Sequence, residues 1–145
     1  MSENYELTIS KVIPASAKTL FEAWLDPKAL SRFMKPMDGM PDCEIEVDAK
    51  VGGQFLFVMK VGDREMPHRG EYKTIQPYEK LVFTWKSEHT AGEGTVTLTF
   101  EERSPNETEL VLHHVGLPSD DASNSHKSGW GSILDELAGI TAQVA

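Results

Sequence analysis

The chain has 145 residues, which is enough for one domain with a substantial core and too few for two domains of ordinary size. Hydrophobic residues make up 39% of it and charged residues 26%, a balance typical of folded proteins and not of disordered ones. The net charge of −9 argues against a nucleic-acid partner and against stable anchoring to an anionic membrane, because phosphate groups would be repelled. We therefore expect one domain over residues 1–145.

Two features of the sequence bear on location and redox chemistry. No apolar run reaches the roughly 18 residues that a membrane span needs, and residues 1–10 lack the basic-then-apolar order of a signal peptide. A cytoplasmic location is therefore expected. Cys43 is the single cysteine, which excludes an internal disulfide and a thiolate metal cluster. It falls on the apolar face of a predicted strand, where a buried, inert thiol is expected.

The beginning of the chain predicts a strand followed by two helices. Apolar and polar residues mostly alternate over residues 5–13, which indicates a half-buried strand that Pro14 ends. Ser16 is placed to cap a helix. Asp26-Pro27 predicts the cap of a second, short helix. The apolar face of the first helix is formed by Ala17, Leu20, Phe21, Trp24 and Leu25.

The middle of the chain predicts six strands between residues 43 and 114, each with alternating apolar and polar side chains. The turn signals between them are short, at Gly62-Asp63, Gln76-Pro77, Gly92 to Gly94 and Ser104 to Asn106. Strands joined in this way are mainly antiparallel, because parallel pairs need long crossovers. The side chains predicted to share the inward face are Phe55, Phe57, Met59, His68, Tyr72, Phe83, Trp85, Leu98, Leu112 and His114.

The end of the chain predicts one long helix, from about Ser119 to Thr141. Its stripe at intervals of three and four consists of His126, Trp130, Ile133, Leu134, Leu137 and Thr141, with Val144 extending it. Gly129 and Gly131 flank Trp130, and each lowers helix stability by about 1 kcal/mol relative to alanine. We expect the glycines to permit close approach of another element. The order of elements indicates an α+β fold.

Several motifs occur in an order that resembles a known superfamily. They are residues 51–57, 68–72, 76–85, 94–100, 126–130 and 133–137. Together they resemble the SRPBCC (START-like) superfamily and, within it, the family named for the C-terminal domain of the activator of the heat-shock protein 90 ATPase, from about Ile9 to Leu137. Phe33 is a departure, since the family often has tryptophan there. The resemblance implies the helix-grip (birch-pollen-allergen-like) fold: a curved antiparallel sheet wrapped around a long C-terminal helix, with two short helices after the first strand.

The resemblance also implies a cavity between sheet and helix, which in relatives takes lipids, sterols, aromatic polyketides or plant hormones. We predict a protein that binds a hydrophobic or amphipathic small molecule and favour this binding role over catalysis, which stays open. The expected lining adds His126, Trp130, Leu134 and Leu137 to the inward residues of the strands. Periodicity alone equally fits a filled core. Two alternatives stay open: a polyketide cyclase or dehydratase that uses Tyr72 and an inward histidine as acid and base, and a module that acts on a chaperone ATPase. A homodimer is also left open.

Three histidines, His68, His114 and His126, fall on the predicted inward faces. A hydrogen-bonded structural histidine is the simpler interpretation of each, although any of them has the chemistry of a general acid or base. They lack the short spacing and the accompanying carboxylate of common metal sites, so we predict no metal and no cofactor. His126 lies one turn before Trp130 on the same helix face. This spacing predicts a pocket with a polar group at its opening, His126, called here the polar gate, and an apolar inner end at Trp130.

Overall fold

Seven strands and three helices make up the described part of the chain, in the order that the sequence predicts. The computed structural model describes residues 5–35, 42–61, 63–87, 94–117 and 120–142. The elements are β1 (Tyr5–Ile13), α1 (Ala17–Ala23), α2 (Pro27–Phe33), β2 (Glu44–Val47), β3 (Gln54–Val61), β4 (Arg64–Gln76), β5 (Lys80–Ser87), β6 (Gly94–Ser104), β7 (Glu107–Leu117) and α3 (Asp120–Ala142). The predictions that involve Gly62, Gly92, Ser119 and Val144 fall outside the described residues. No described helix combines the length and the hydropathy that a membrane span requires.

The strands form one curved antiparallel sheet in the order β1-β7-β6-β5-β4-β3-β2. Strands β2 to β7 follow one another as neighbours, and β1 pairs with β7 at the far edge. The register sets Phe57 opposite His68, Tyr72 opposite Phe83, and Leu98 opposite Leu112. Because directly opposed side chains point to the same face of a sheet, this register confirms that the predicted inward residues share one face.

Both short helices begin at the predicted caps. The hydroxyl of Ser16 accepts a hydrogen bond from the backbone N–H of Thr19 at 3.1 Å. Asp26-Pro27 begins α2, with the Asp26 carboxylate as cap. The backbone N–H of Ala17 donates to the carboxylate of Glu102 on β6 at 2.9 Å. This last bond satisfies a helix N-terminal donor and joins α1 to the sheet.

Helix α3 packs against β1, β7 and α2. Its buried stripe consists of Trp130, Ile133, Leu134, Leu137 and Thr141. On the solvent side, Lys11 of β1 and Asp135 form an ion pair at 2.9 Å. Trp130 and Leu134 are each only 2% exposed. The prediction that the sheet curves around this helix is confirmed.

Two local expectations are corrected by the structure. A Cβ built on Gly131 meets no heavy atom within 4 Å, so the expected close approach to this glycine is wrong. Cys43 lies one residue before β2 and not within a strand, where its N–H donates to the Ser31 carbonyl at 3.1 Å. The thiol is nevertheless buried, and burial raises the pKa of Cys43 to about 11. A protonated thiol is a poor nucleophile, as expected.

Candidate functional site

A continuous set of aromatic side chains, called here the aromatic cluster, lies between the inner face of the sheet, the end of α1 and helix α3. Its members are Trp24, Phe55, Phe57, Tyr72, Phe83, Trp85 and Trp130. Phe55 and Phe57, on β3, stack with their centroids 4.5 Å apart. The ring of Trp85 on β5 lies 4.8 Å from that of Trp130, which joins the sheet to α3. The cluster therefore extends from β3 across the interior to the C-terminal helix.

The predicted apolar lining lies inside the molecule. None of its side chains is more than 5% exposed: Phe55, Phe57, Met59, Tyr72, Phe83, Trp85, Leu98, Leu112, Trp130, Leu134 and Leu137. Strand alternation and the helical stripe thus place these residues in one core. Their role in binding a ligand stays a prediction.

A polar pair borders the aromatic cluster where β7 faces α3. The indole N–H of Trp130 donates to Nδ1 of His114 at 3.0 Å, and His114 is 1% exposed. An indole nitrogen only donates, so Nδ1 of His114 carries no proton and the neutral ring is protonated at Nε2. The ring of His126, which is half-buried, meets the ring of His114 edge to face at 5.1 Å. These contacts bring two of the three predicted histidines together.

The surroundings of His114 oppose a positive charge. Burial, and secondarily the nearby His126, lower the pKa of His114 to about 3. A backbone position without a side chain makes room for the ring, because a Cβ on Gly94 would lie 2.8 Å from Nε2 of His114. At neutral pH His114 is therefore an uncharged residue that fixes the orientation of Trp130.

His68 lies apart from this pair and is half-buried. Its Nδ1 donates to the carbonyl of Met66 at 3.0 Å, and its ring lies 5.0 Å from that of Trp85. The rings of Trp85 and Trp130 contact each other and lie between the rings of His68 and His114. Among the residues that the structure describes, no three potential metal-ligating side chains come together.

Three buried hydrogen-bonding groups of the aromatic cluster have no partner within the described structure. They are the indole nitrogens of Trp24 and Trp85 and the hydroxyl of Tyr72. Burial raises the pKa of Tyr72 above its ordinary value, so the phenol keeps its proton. The sequence pattern places Trp24 on the apolar face of the first helix, but Trp24 was not among the residues expected to line the interior. Its ring contacts Phe33 at 5.0 Å and Trp130 at 6.4 Å.

Solved structures resemble this fold over nearly its whole length. Protein CV1439 from Chromobacterium violaceum superimposes with a TM-score of 0.82 and 24% identity, covering 94% of this chain and 96% of that one. PFC0360w from Plasmodium falciparum, described as an HSP90 activator, gives a TM-score of 0.75 and 27% identity over 93% and 94% of the two chains. CalU16 from Micromonospora echinospora gives 0.71 and 21%, over 94% and 77%. No curated protein matches the sequence.

A family model covers most of the chain as well. The model described as Activator of Hsp90 ATPase homolog 1-like protein matches residues 14–142, from the end of β1 through α3. The matched region contains both short helices, strands β2 to β7 and the aromatic cluster. This chain belongs to the family of Activator of Hsp90 ATPase homolog 1-like proteins, within the SRPBCC superfamily.

Proposed function

We propose that this domain binds a hydrophobic or amphipathic small molecule between the sheet and α3. The observation that carries the proposal is the aromatic cluster with the polar His114–Trp130 pair at one border. Aromatic side chains supply large apolar contact areas. The half-buried His126 next to the pair offers a polar group for the head of an amphipathic molecule.

The proposal is tested with cis-parinaric acid, a fluorescent fatty acid with an apolar chain and a polar head. We expect the wild-type domain to bind it. His126→Ala should weaken binding by about fivefold, the effect of one ordinary hydrogen bond, with an almost unchanged melting temperature. Lys127→Ala, at an exposed neighbouring position, is the matched control. Absence of binding by the wild type contradicts the proposal.

Substitutions at Trp130 and His126 distinguish two roles for His126, a polar group at the opening of the pocket and a structural residue of the core. Trp130→Ala removes a buried indole and should lower the free energy of unfolding by about 3–5 kcal/mol. If His126→Ala destabilises the domain as much, His126 is a structural core histidine and its role as a polar gate is wrong. Native mass spectrometry of the purified protein adds an independent test, since a retained ligand would appear as a mass increase.

A second candidate function is stimulation of an Hsp90-type ATPase. Two observations favour it: the family to which the chain belongs and its 27% identity to the HSP90 activator from Plasmodium falciparum. We expect the purified domain to increase ATP hydrolysis by Hsp90 if this function applies. Unchanged hydrolysis at saturating concentrations of the domain would exclude it.

The backbone geometry gives little support to the alternative of a cyclase or dehydratase that uses Tyr72 and a histidine as acid and base. Tyr72 lies on β4 and His114 on β7, with β5 and β6 between them, which is about 14 Å at ordinary strand spacing. His68 lies four residues before Tyr72 on the same strand, about 13 Å along it. The acceptor nitrogen of His114 is also already bonded to Trp130. These positions support a binding site more than a paired acid and base.

A further inference from the structure

A groove crosses the outer face of the sheet, on the side away from α3. It has a volume of about 540 Å³ and is lined by residues of β2, β3, β4 and β5. The register sets Leu56 opposite Arg69, and Arg69 opposite Lys86, so these three lining residues form one row across the strands. Leu56 alternates with the inward Phe55 and Phe57, which places the row on the outer face.

An interruption of the pairing between β4 and β5 forms part of this groove. The register passes from Arg69 and Lys86 to Tyr72 and Phe83 without backbone pairing in between. The N–H of Glu71 donates instead to the hydroxyl of Thr84, at 2.9 Å. Gly70, Glu71 and Thr84 all line the groove. Backbone and a hydrogen-bonded threonine therefore contribute to the groove as well as exposed side chains.

Two cations lie directly opposite each other in the groove. Arg69 and Lys86 are both exposed, and like charges at directly opposed positions destabilise a sheet. None of the ion pairs between described residues includes either side chain. Glu71, the nearest acidic residue along β4, binds Lys73 at 3.4 Å. The repulsion between the two cations is thus not relieved by an acidic side chain of the described structure.

Another like-charged pair shows how such repulsion is relieved elsewhere in this sheet. Glu101 of β6 lies directly opposite Glu109 of β7. There the guanidinium group of Arg103 binds the Glu109 carboxylate, so the chain itself supplies the countercharge. Arg69 and Lys86 have no equivalent partner among the described residues. An anion from solution can supply the missing countercharge.

Size, charge and apolar surface narrow the class of this anion. The volume lies within the range of about 300–1,000 Å³ that small-molecule sites occupy. A guanidinium group binds carboxylate and phosphate with two parallel hydrogen bonds. Leu56 offers apolar surface next to the cations, and Glu46 lies beyond it on β2, where it disfavours a second anionic group. The net charge of −9 opposes contact with an anionic membrane, which leaves a soluble molecule.

We propose that this groove, called here the anion groove, is a separate binding site for a small organic anion. The ligand would carry one carboxylate or phosphate group and an apolar body. The anionic group would bind Arg69 and Lys86, and the body would lie over Leu56. The anion groove is on the outer face of the sheet, so the proposal does not depend on a ligand between the sheet and α3.

The experiment compares phenyl phosphate and benzoate with benzyl alcohol, an uncharged molecule with the same ring. Binding is followed by NMR, through the backbone amide shifts of the isotopically labelled domain. We expect both anions to shift the amides of Leu56, Arg69 and Lys86. Benzyl alcohol should bind at least about fivefold more weakly, the effect of two exposed ion pairs. Raising the ionic strength from about 0.01 M to about 1 M should weaken the binding of both anions, because the site is exposed.

Substitutions of Lys86 test the cation pair in two ways. Lys86→Gln should weaken binding of phenyl phosphate by about two- to fivefold. Lys86→Glu should weaken it by at least about tenfold and should also raise the ligand-free melting temperature by about 1–3 °C, because a carboxylate then lies opposite Arg69. Lys80→Gln is the matched control, since Lys80 is exposed on the same face of β5 and lies outside the groove. It should leave the affinity unchanged.

Several results would overturn the proposal. Equal weakening by Lys86→Gln and Lys80→Gln would show that the anions respond only to overall charge. Equal affinity for benzyl alcohol, or no amide shift with millimolar phenyl phosphate or benzoate, would exclude an anion site. A lower melting temperature of Lys86→Glu would contradict the repulsion on which the proposal rests.

The interior site and the anion groove fail independently. His126→Ala should leave phenyl phosphate binding unchanged, and Lys86→Glu should leave binding of cis-parinaric acid unchanged. Loss of cis-parinaric acid binding in Lys86→Glu would place that fatty acid in the anion groove, which supports the groove and contradicts the interior site. Loss of phenyl phosphate binding in His126→Ala would place that probe in the interior and overturn the anion groove.

Discussion

At the scale of single residues, His114 shows how a buried polar side chain is held by its surroundings. It accepts the Trp130 N–H, its ring meets that of His126, and Gly94 leaves the space that its ring occupies. Protonation of Nδ1 would break the bond to Trp130 and place a charge in an apolar region. The lowered pKa therefore has a direct consequence for stability.

His114 should make the domain less stable in mild acid. Its folded pKa of about 3 lies below the ordinary value of 6.5, so the unfolded chain takes up a proton first as the pH falls. This contribution to stability is complete above pH 6.5 and is lost progressively from there towards pH 3. At pH 5 the loss amounts to about 2 kcal/mol. Urea unfolding at pH 7 and pH 5 measures it.

His114→Gln tests this assignment, because an amide oxygen still accepts the Trp130 N–H and does not titrate. The stability difference between the two pH values should shrink by most of the contribution of His114. His113→Gln changes the adjacent, more exposed histidine and serves as the control. An unchanged difference in His114→Gln would assign the acid sensitivity to other groups.

Sequence patterns predicted which way these side chains point but not which atoms bond. Strand parity placed His114 inward, and the helical stripe placed Trp130 on the buried face. The hydrogen bond between them depends on the position of α3 along β7, and no local pattern encodes that position. Trp24 was left out of the expected lining for a related reason: its contact with Trp130 joins the end of α1 to α3, which are far apart in the chain.

At the scale of elements, the helices illustrate how caps and glycines determine local stability. Ser16 caps α1 through the Thr19 N–H, a bond that alanine cannot provide. We expect Ser16→Ala to lower the free energy of unfolding by about 1 kcal/mol. Chemical denaturation checks this value, with Ser31→Ala at a more exposed helical site as control. A loss no larger than that of the control would show that the cap contributes little.

For Gly131 we expect the opposite effect, a gain in stability when the residue is replaced by alanine. It lies inside α3, and a Cβ there meets nothing within 4 Å, so Gly131→Ala should stabilise the domain by up to about 1 kcal/mol. Gly70→Ala is the comparison. A Cβ on Gly70 would collide with the Thr84 carbonyl and approach the Phe55 ring to 2.5 Å, so this variant should be destabilised. Thermal unfolding of both variants tests the pair, and a destabilised Gly131→Ala would restore the idea of a close contact there.

At the scale of the whole molecule, the sequence predicted the architecture better than the interior. Alternation, short turns and one long apolar stripe are sufficient for an antiparallel sheet around a helix, and the observed sheet order agrees. Whether Phe57, Trp85 and Leu134 enclose a ligand or fill a core depends on packing volumes. Both arrangements require the same apolar residues at the same positions, so periodicity gives the same prediction for each.

The pairing of β1 with β7 also affects how the domain is made. Ile9 lies opposite Leu112, so β1, the first strand of this domain to be synthesised, has no neighbour in the sheet until β7, the last of its described strands, has emerged from the ribosome. Until β7 has emerged, the backbone groups along β1 and along the outer side of β6 lack their partners. Open strand edges pair readily with other chains. The interval before release of the C-terminal segment is therefore when we expect this domain to be most prone to aggregate.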